Sequence, residues 1–381
     1  MRAPRWIWVR PEAKTALASG DIGAILACYR RITGLTQAAL ADHLGYDPSY
    51  ISLLERRRRT ITDRAGLTHL SRALAIPPHA LGITDDDSDF QAAAQFGDST
   101  IRLADIARQA GRAAEAADEL WPLIARLEAR LTEGRVDAAT VHLLARARTT
   151  FGVCLGHVLA EEQQHVAARW TGKALALADQ LDDAPLHGRV LRMHGNELRK
   201  AGRTAAAIAR LTHALDLTHS HGERGQTLLL LARAAGEHGD AATFDAAITD
   251  AHRVDGEGGG ILLTPFTLRE ARIRGLAATG RLHQAARLAE QQPGQAAPAP
   301  QWAAIERATT GHVLLTVGDT TTGCEALGQS LATAGELRLP HQVQRVLRTA
   351  RAAGEHELAQ RAEAELSRLR RPYPDTKCFG K

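Results

Sequence analysis

The chain has 381 residues, enough for two domains or for one small domain followed by a repeat array. Its net charge is only +4 and aromatics make up 4% of residues; the abundant alanine, leucine and arginine favour helix over strand. Four cysteines, Cys28, Cys154, Cys324 and Cys378, are far apart and form no C-x-x-C, and no stretch approaches the roughly 20 apolar residues of a membrane span.

The opening residues, MRAPRWIWVRPEAK, lack a long apolar core and a small-residue cleavage site. They do not read as a signal peptide, and the expectation is a cytoplasmic protein with reduced thiols. Trp6-Ile7-Trp8-Val9 is the one stretch with strand-like composition, and its rings read as packing anchors. Pro11 opens a helix that ends near Gly20. Asp21 caps the next one, through Thr33, with Ile22, Ile25, Leu26, Tyr29 and Ile32 as its buried stripe.

Residues 35–59, LTQAALADHLGYDPSYISLLERRRR, carry two short helices joined by a tight turn. Thr36 can cap the first, and Leu40, Ala41 and Leu44 form its apolar face. Gly45 stops it, because a C′ residue must enter the left-handed region. Asp47 offers a second N-cap, and Pro48 suits the first helical position. Ile51 and Leu54 face inward, with Leu53 on the edge. Ser49, Tyr50 and Ser52 point outward, followed by Arg56, Arg57, Arg58 and Arg59. This is a helix-turn-helix pattern: small polar groups near the start of the second helix can read base edges, and the arginines can neutralise phosphates. Residues 1–84 hold 12 Lys and Arg against 6 Asp and Glu, whereas the remainder holds 35 against 37. Positive charge is therefore concentrated around this motif, as a nucleic-acid footprint requires.

Gln37, Ala41, Gly45, Ile51, Ser52 and Glu55, with Leu70, Ala73, Leu74 and Ile76-Pro77-Pro78, resemble the lambda-repressor-like (Xre/Cro) family over about residues 21–84. The resemblance implies a five-helix domain that binds a double-stranded DNA operator as a homodimer. It matches Gln37 to the family's phosphate-contacting glutamine and sets Pro48, Ser49 and Leu53 at base-reading positions. Proline and leucine cannot hydrogen-bond a base in bidentate fashion, although Leu53 can touch a thymine methyl. The candidate base readers are thus Ser49, Tyr50, Ser52 and Leu53, and the candidate phosphate contacts are Gln37 and Arg56 to Arg59.

Residues 1–84 are expected to form the DNA-binding domain with its lead-in. Asp85-Asp86-Asp87-Ser88-Asp89 reads as a break, which makes 85–99 an acidic linker; it lacks the glycine and the distant glutamate of a calcium loop. From 100 to 371 helix pairs recur, each with a glycine at its inner turn: Gly111, Gly202, Gly239, Gly280, Gly318 and Gly354. After Gly202 the intervals are 37, 41, 38 and 36 residues. Periods of this size mean a helical solenoid. Gly195, Leu198, Gly202, Ala207, Leu211 and Ala214 resemble a tetratricopeptide repeat. The expected fold is all-α: the five-helix domain, then a right-handed α-solenoid of six or seven helix pairs. Gly256 to Gly260 reads as a connector, Gln292 to Pro300 as a Pro/Ala linker, and 372–381 as a loose tail.

Seventeen histidines raise the question of a metal, but no two close pairs of Cys or His appear, and no nucleophile has an orienting partner. No enzyme activity, cofactor or metal is expected. A solenoid offers a concave face, and its candidate lining is Arg148, Arg192, Asn196, Arg199, Gln226 and Arg269, a set suited to clamping a carboxylate. An Xre-type domain joined to such an array resembles the RRNPP class of peptide-responsive regulators. The resemblance implies a transcriptional regulator that dimerises through its array and senses a peptide or small-molecule effector. The other reading is a scaffold whose array recruits a protein and whose small domain is a tether.

Overall fold

A computed structural model describes residues 4–83, 87–218, 220–255 and 262–370. Among these residues there are twenty α-helices, three 3-10 turns and no strand. The chain divides into two compact units, one taking Met1–Ala104 with Ala114–Ala147, the other Asp105–Ala113 with Arg148–Arg370.

The first unit opens with a 3-10 turn, Arg5–Val9, followed by α1 (Pro11–Ser19), α2 (Ile22–Thr33), α3 (Gln37–Leu44), α4 (Pro48–Glu55), α5 (Arg64–Leu74) and a second 3-10 turn, Pro78–Leu81. Ile25, Leu26, Leu40, Ile51, Leu54, Leu70 and Ile76 form its fully buried core. Helices α2 and α4 cross closely at Gly23, where a Cβ would lie 2.3 Å from the Leu54 carbonyl oxygen. Trp6 to Val9 is not a strand. A lone extended segment has no neighbour for its backbone hydrogen bonds, so it tightens into the 3-10 turn and buries all four side chains. Trp8 stacks on Tyr29 at 5.7 Å and donates its indole N–H to the Leu74 carbonyl.

The acidic linker expected over 85–99 is also corrected. Residues 84–86 lie outside the described residues, but α6 (Asp87–Gln95) and α7 (Gly97–Gln109) follow at once. The segment FQAAAQF explains this: alanine costs nothing in a helix, and aspartates suit its N-terminal end. These helices are packed, since Gly97 abuts Leu143 and the Arg130 guanidinium lies 4.4 Å from the Phe90 ring centroid. Helices α8 (Ala113–Thr132) and α9 (Ala138–Val158) come next.

The second unit continues as a solenoid: a 3-10 turn Glu161–Gln163, α10 (Gln164–Ala178), α11 (Ala184–Lys200), α12 (Thr204–Asp216), α13 (His221–His238), α14 (Ala241–Asp255), α15 (Pro265–Ala278), α16 (Leu282–Ala289), α17 (Pro300–Thr316), α18 (Thr320–Glu336), α19 (Pro340–Ala353) and α20 (His356–Arg370). Sequential helices pair, as the glycine spacing predicts. The five turn glycines from Gly202 to Gly354 have φ between 76° and 93°, a region closed to most side chains. Small residues set the close approaches: a Cβ on Gly275 would lie 2.0 Å from the Phe244 ring. Residues 292–299 are non-helical and Pro300 opens α17, as the Pro/Ala composition predicts. Gly256 to Gly260 and the tail lie outside the described residues.

The first helices of successive pairs (α11, α13, α15, α17, α19) pack in sequence and form one inner wall. The array then meets its own beginning. The Glu161 amide donates to Gln344 Oε1 at 2.8 Å, Gln344 Nε2 donates to Glu162 Oε2 at 3.0 Å, and Arg348 and Arg370 pair with Glu161 and Glu162.

Candidate functional site

Two places gather candidate functional side chains, one in each unit. In the first, α3 and α4 make the helix-turn-helix with both of its caps. Thr36 Oγ1 accepts from the Ala39 amide at 3.1 Å, Asp47 Oδ1 accepts from the Ser49 amide at 2.8 Å, and Gly45 turns at φ 69°. Glu55, at the end of α4, ties the motif together. Arg30 Nε and Nη2 donate to its two oxygens at 2.6 and 2.8 Å, and Gln37 Nε2 donates at 2.7 Å. Burial pushes the Glu55 carboxyl up, but the Arg30 and Gln37 hydrogen bonds overcome this and hold it below its ordinary range. Helices α2, α3 and α4 are thus clamped through one carboxylate.

That clamp gives Gln37 a second task, since its amide nitrogen is already engaged with Glu55. Pro48 and Ser49 are exposed, whereas Tyr50, Ser52 and Leu53 are half-buried. Tyr50 meets Tyr46 edge-on at 5.3 Å. The arginine run does not extend the helix. Arg56 is the C-cap, Arg57 takes φ +58°, and the Arg58 amide returns to the Leu53 carbonyl at 2.9 Å. The four cations therefore gather at the C-terminal end of α4, where they complement the helix dipole. Arg57 Nε pairs with Asp21 at 2.6 Å, while Arg56, Arg58 and Arg59 are exposed.

In the second unit the inner wall lines a cavity of about 410 Å³. Asn196 and Arg199 line it, as expected, and the other four candidates do not. Arg148 donates to the Lys173 carbonyl, Arg192 pairs with Glu223 at 3.7 Å, and Gln226 is half-buried on α13. Arg269 staples α15 to α16 and α17, donating to the Leu288 carbonyl at 2.8 Å and to Glu306 at 2.7 Å. The cause is helix rotation. A residue on a first helix can face the cavity or the second helix of its own pair, and 3.6-residue spacing alone does not choose the origin.

Arg233, Glu237, Arg274 and Arg345, none of them among those candidates, also line the cavity, and Glu270 is buried beside them. Arg199 donates to Glu237 at 2.6 Å. Arg274 bridges Glu270 at 2.6 Å and Glu237 at 3.2 Å. Arg233 reaches Glu270 at 3.7 Å and lies 5.0 Å from the Trp302 ring centroid. Burial works against a charged Glu270, yet Arg274 and Arg233 pull its carboxyl down to about 2. A signal was available. Arg199, Arg233, Arg274, Thr309 and Arg345 recur near the repeat period, one on each first helix.

Among the described residues no three of His, Cys, Asp or Glu converge as metal ligands, and no helix is long and apolar enough to cross a membrane. Cys154 is buried, which pushes its thiol up to about 12, and desolvation holds the neighbouring His157 well below its ordinary value. Neither group is poised as a nucleophile or base near neutral pH.

No protein-family model matches the sequence, and no curated protein matches it. Among solved structures, the chain is similar to a circular tandem repeat protein with novel repeat topology and enhanced subunit contact surfaces. The identity is 15%, the match covers 94% of this chain and 97% of that one, and the TM-score is 0.26.

Proposed function

We propose that this chain is a sequence-specific DNA-binding transcriptional regulator whose helical array senses an effector. One observation carries the reading: two capped eight-residue helices meet at Gly45, are clamped by Glu55, and leave Pro48 and Ser49 exposed at the start of α4. An eight-residue helix is about 12 Å long, and the B-DNA major groove is about 12 Å wide. The surrounding 1–84 segment carries the chain's positive surplus. Binding as a homodimer would let two such helices read half-sites about 34 Å apart. An effector in the array regulates only if it binds one arrangement of the protein better than another.

Footprinting with full-length protein on genomic fragments is expected to protect a defined site. Equal affinity for scrambled duplex would overturn sequence-specific binding and leave the array as a recruiting scaffold. Ser49→Ala with Ser52→Ala is expected to shrink the ratio of specific to non-specific affinity, because base contacts carry specificity. Uniform weakening on all sequences would remove these hydroxyls from base readout.

Salt dependence tests the arginines separately. Each neutralised phosphate adds about −0.9 to the slope of log affinity against log salt. Arg58→Ala with Arg59→Ala is expected to flatten the slope by nearly 2 on that scale. Arg57→Ala should flatten it less, since Asp21 already neutralises that side chain. An unchanged slope in the double variant would show that the arginines serve the helix end alone.

A further inference from the structure

The cavity's charge does not balance. Four arginines (Arg199, Arg233, Arg274 and Arg345) converge on two carboxylates, Glu237 and Glu270. Glu237 serves Arg199 and Arg274, and Glu270 serves Arg274 and, at longer range, Arg233. Arg345 forms no ion pair among the described residues; it donates to the neutral oxygens of Gln342 at 3.0 Å and Thr309 at 3.1 Å. Two positive charges are left over, Arg233 buried and Arg345 half-buried. Burial pushes Arg233 and Arg345 down to about 9, which still leaves both charged at neutral pH. The histidines add no charge, since burial pushes His341 down to about 3 and His157 well below its ordinary value.

Polar atoms in the same wall lack partners. Arg233 is 5% exposed and its Nε–H finds no acceptor; Gln301 is 4% exposed and its Oε1 finds no donor. Both residues line the cavity. Buried polar groups are normally satisfied, and a buried surplus charge costs free energy unless something neutralises it. Apolar side chains lie beside these polar ones: Trp302, Leu230 and Ile305 also line the cavity, and the Trp302 ring is 5.0 Å from the Arg233 guanidinium. The volume falls within the roughly 300–1,000 Å³ of small-molecule sites. On one side of it the Glu161–Gln163 turn meets α19. A cavity of that volume suits a compact ligand better than an extended peptide.

We propose that this cavity binds a small organic anion, its acidic group held by Arg233 and Arg345 and its apolar body packed on Trp302. The inference deepens the effector part of the reading above, but it requires no DNA binding. Arginine is suited to the task, since its planar fork matches carboxylate, sulfonate and phosphate oxygens.

The test uses full-length protein without DNA and two fluorescent probes of one ring system. One is 8-anilinonaphthalene-1-sulfonate; the other is N-phenyl-1-naphthylamine, which lacks the sulfonate. The anionic probe is expected to bind at one site per chain and at least tenfold more tightly than the neutral one. Arg345→Gln should weaken the anionic probe at least tenfold and leave the neutral probe unchanged, with Arg345→Lys recovering part of the loss. Trp302→Leu should weaken both. A further readout separates a ligand-binding arginine from a structural one. Removing a surplus charge should leave the melting temperature of Arg345→Gln unchanged or raised, whereas loss of a structural arginine would lower it. The proposal is overturned if both probes bind alike, if Arg345→Gln affects neither, or if that variant melts earlier. Displacement of the anionic probe by inorganic phosphate at equal concentration would also overturn it, since the site would then take a bare anion. A negative result here leaves the footprint standing, and a failed footprint leaves the cavity standing.

Discussion

Glu270→Ala is expected to destabilise the second unit by about 3–5 kcal/mol, the usual cost of removing one partner from a buried charge pair. Glu270 is fully buried, takes both Arg274 Nε and Nη2 on Oε1, and accepts the Thr309 hydroxyl at 2.7 Å. Its loss leaves Arg233 with no carboxylate and Arg274 with Glu237 alone, beside Arg345, so repulsion among the three cations is less well offset. A chain of two units need not unfold in one step. The measurement is therefore hydrogen exchange, read at the amides of α13 and α15 against those of α3 and α4. Protection should fall in the first pair and stay unchanged in the second. Adding Arg233→Met should restore part of it, because the stranded charge leaves with its partner. A loss below about 1 kcal/mol would mean that the arginines find other compensation.

Glu55→Ala is expected to cost the first unit about 3 kcal/mol and to lower DNA affinity on every sequence. The stability figure lies at the lower end of the buried-pair range because Arg30 keeps some access to water. The affinity effect follows from geometry. Glu55 holds α4 to α2 through Arg30 and to the first residue of α3 through Gln37. Without it, the angle between the two helices of the motif is no longer fixed. The pH dependence has a definite sign. Since the folded carboxyl lies below its ordinary 4.5, its contribution is complete above that pH and is lost as the pH falls through the lower folded value. The variant should therefore show a shallower acid loss in protection of α3 and α4. Equal acid loss in both proteins would place the acid-sensitive group elsewhere.

Much of this architecture follows from local rules. Thr36, Gly45, Asp47 and Pro48 each act within one turn of chain, so their roles in starting and stopping helices were legible. The glycines at 202, 239, 280, 318 and 354 were equally so, because a left-handed residue is needed wherever a helix reverses within a few residues. These features determine an all-helical chain with a capped helix-turn-helix and a repeat array. The acidic run at 85–89 misled because charge suggested a break, while the alanines after it carried the stronger preference for helix.

What only the tertiary structure decided is where the charges meet. Gln37 and Glu55 are 18 residues apart, and Arg233, Glu270 and Arg345 span 112 residues. Their partnerships depend on the rotation of each helix about its axis, which close packing of Gly275 on Phe244 and of Gly195 on Leu211 sets. Helical periodicity gives each helix a face, but it does not orient that face against a distant neighbour. Whether an arginine becomes a structural staple, like Arg269, or part of a cavity's surplus charge, like Arg345, is settled by that contact geometry.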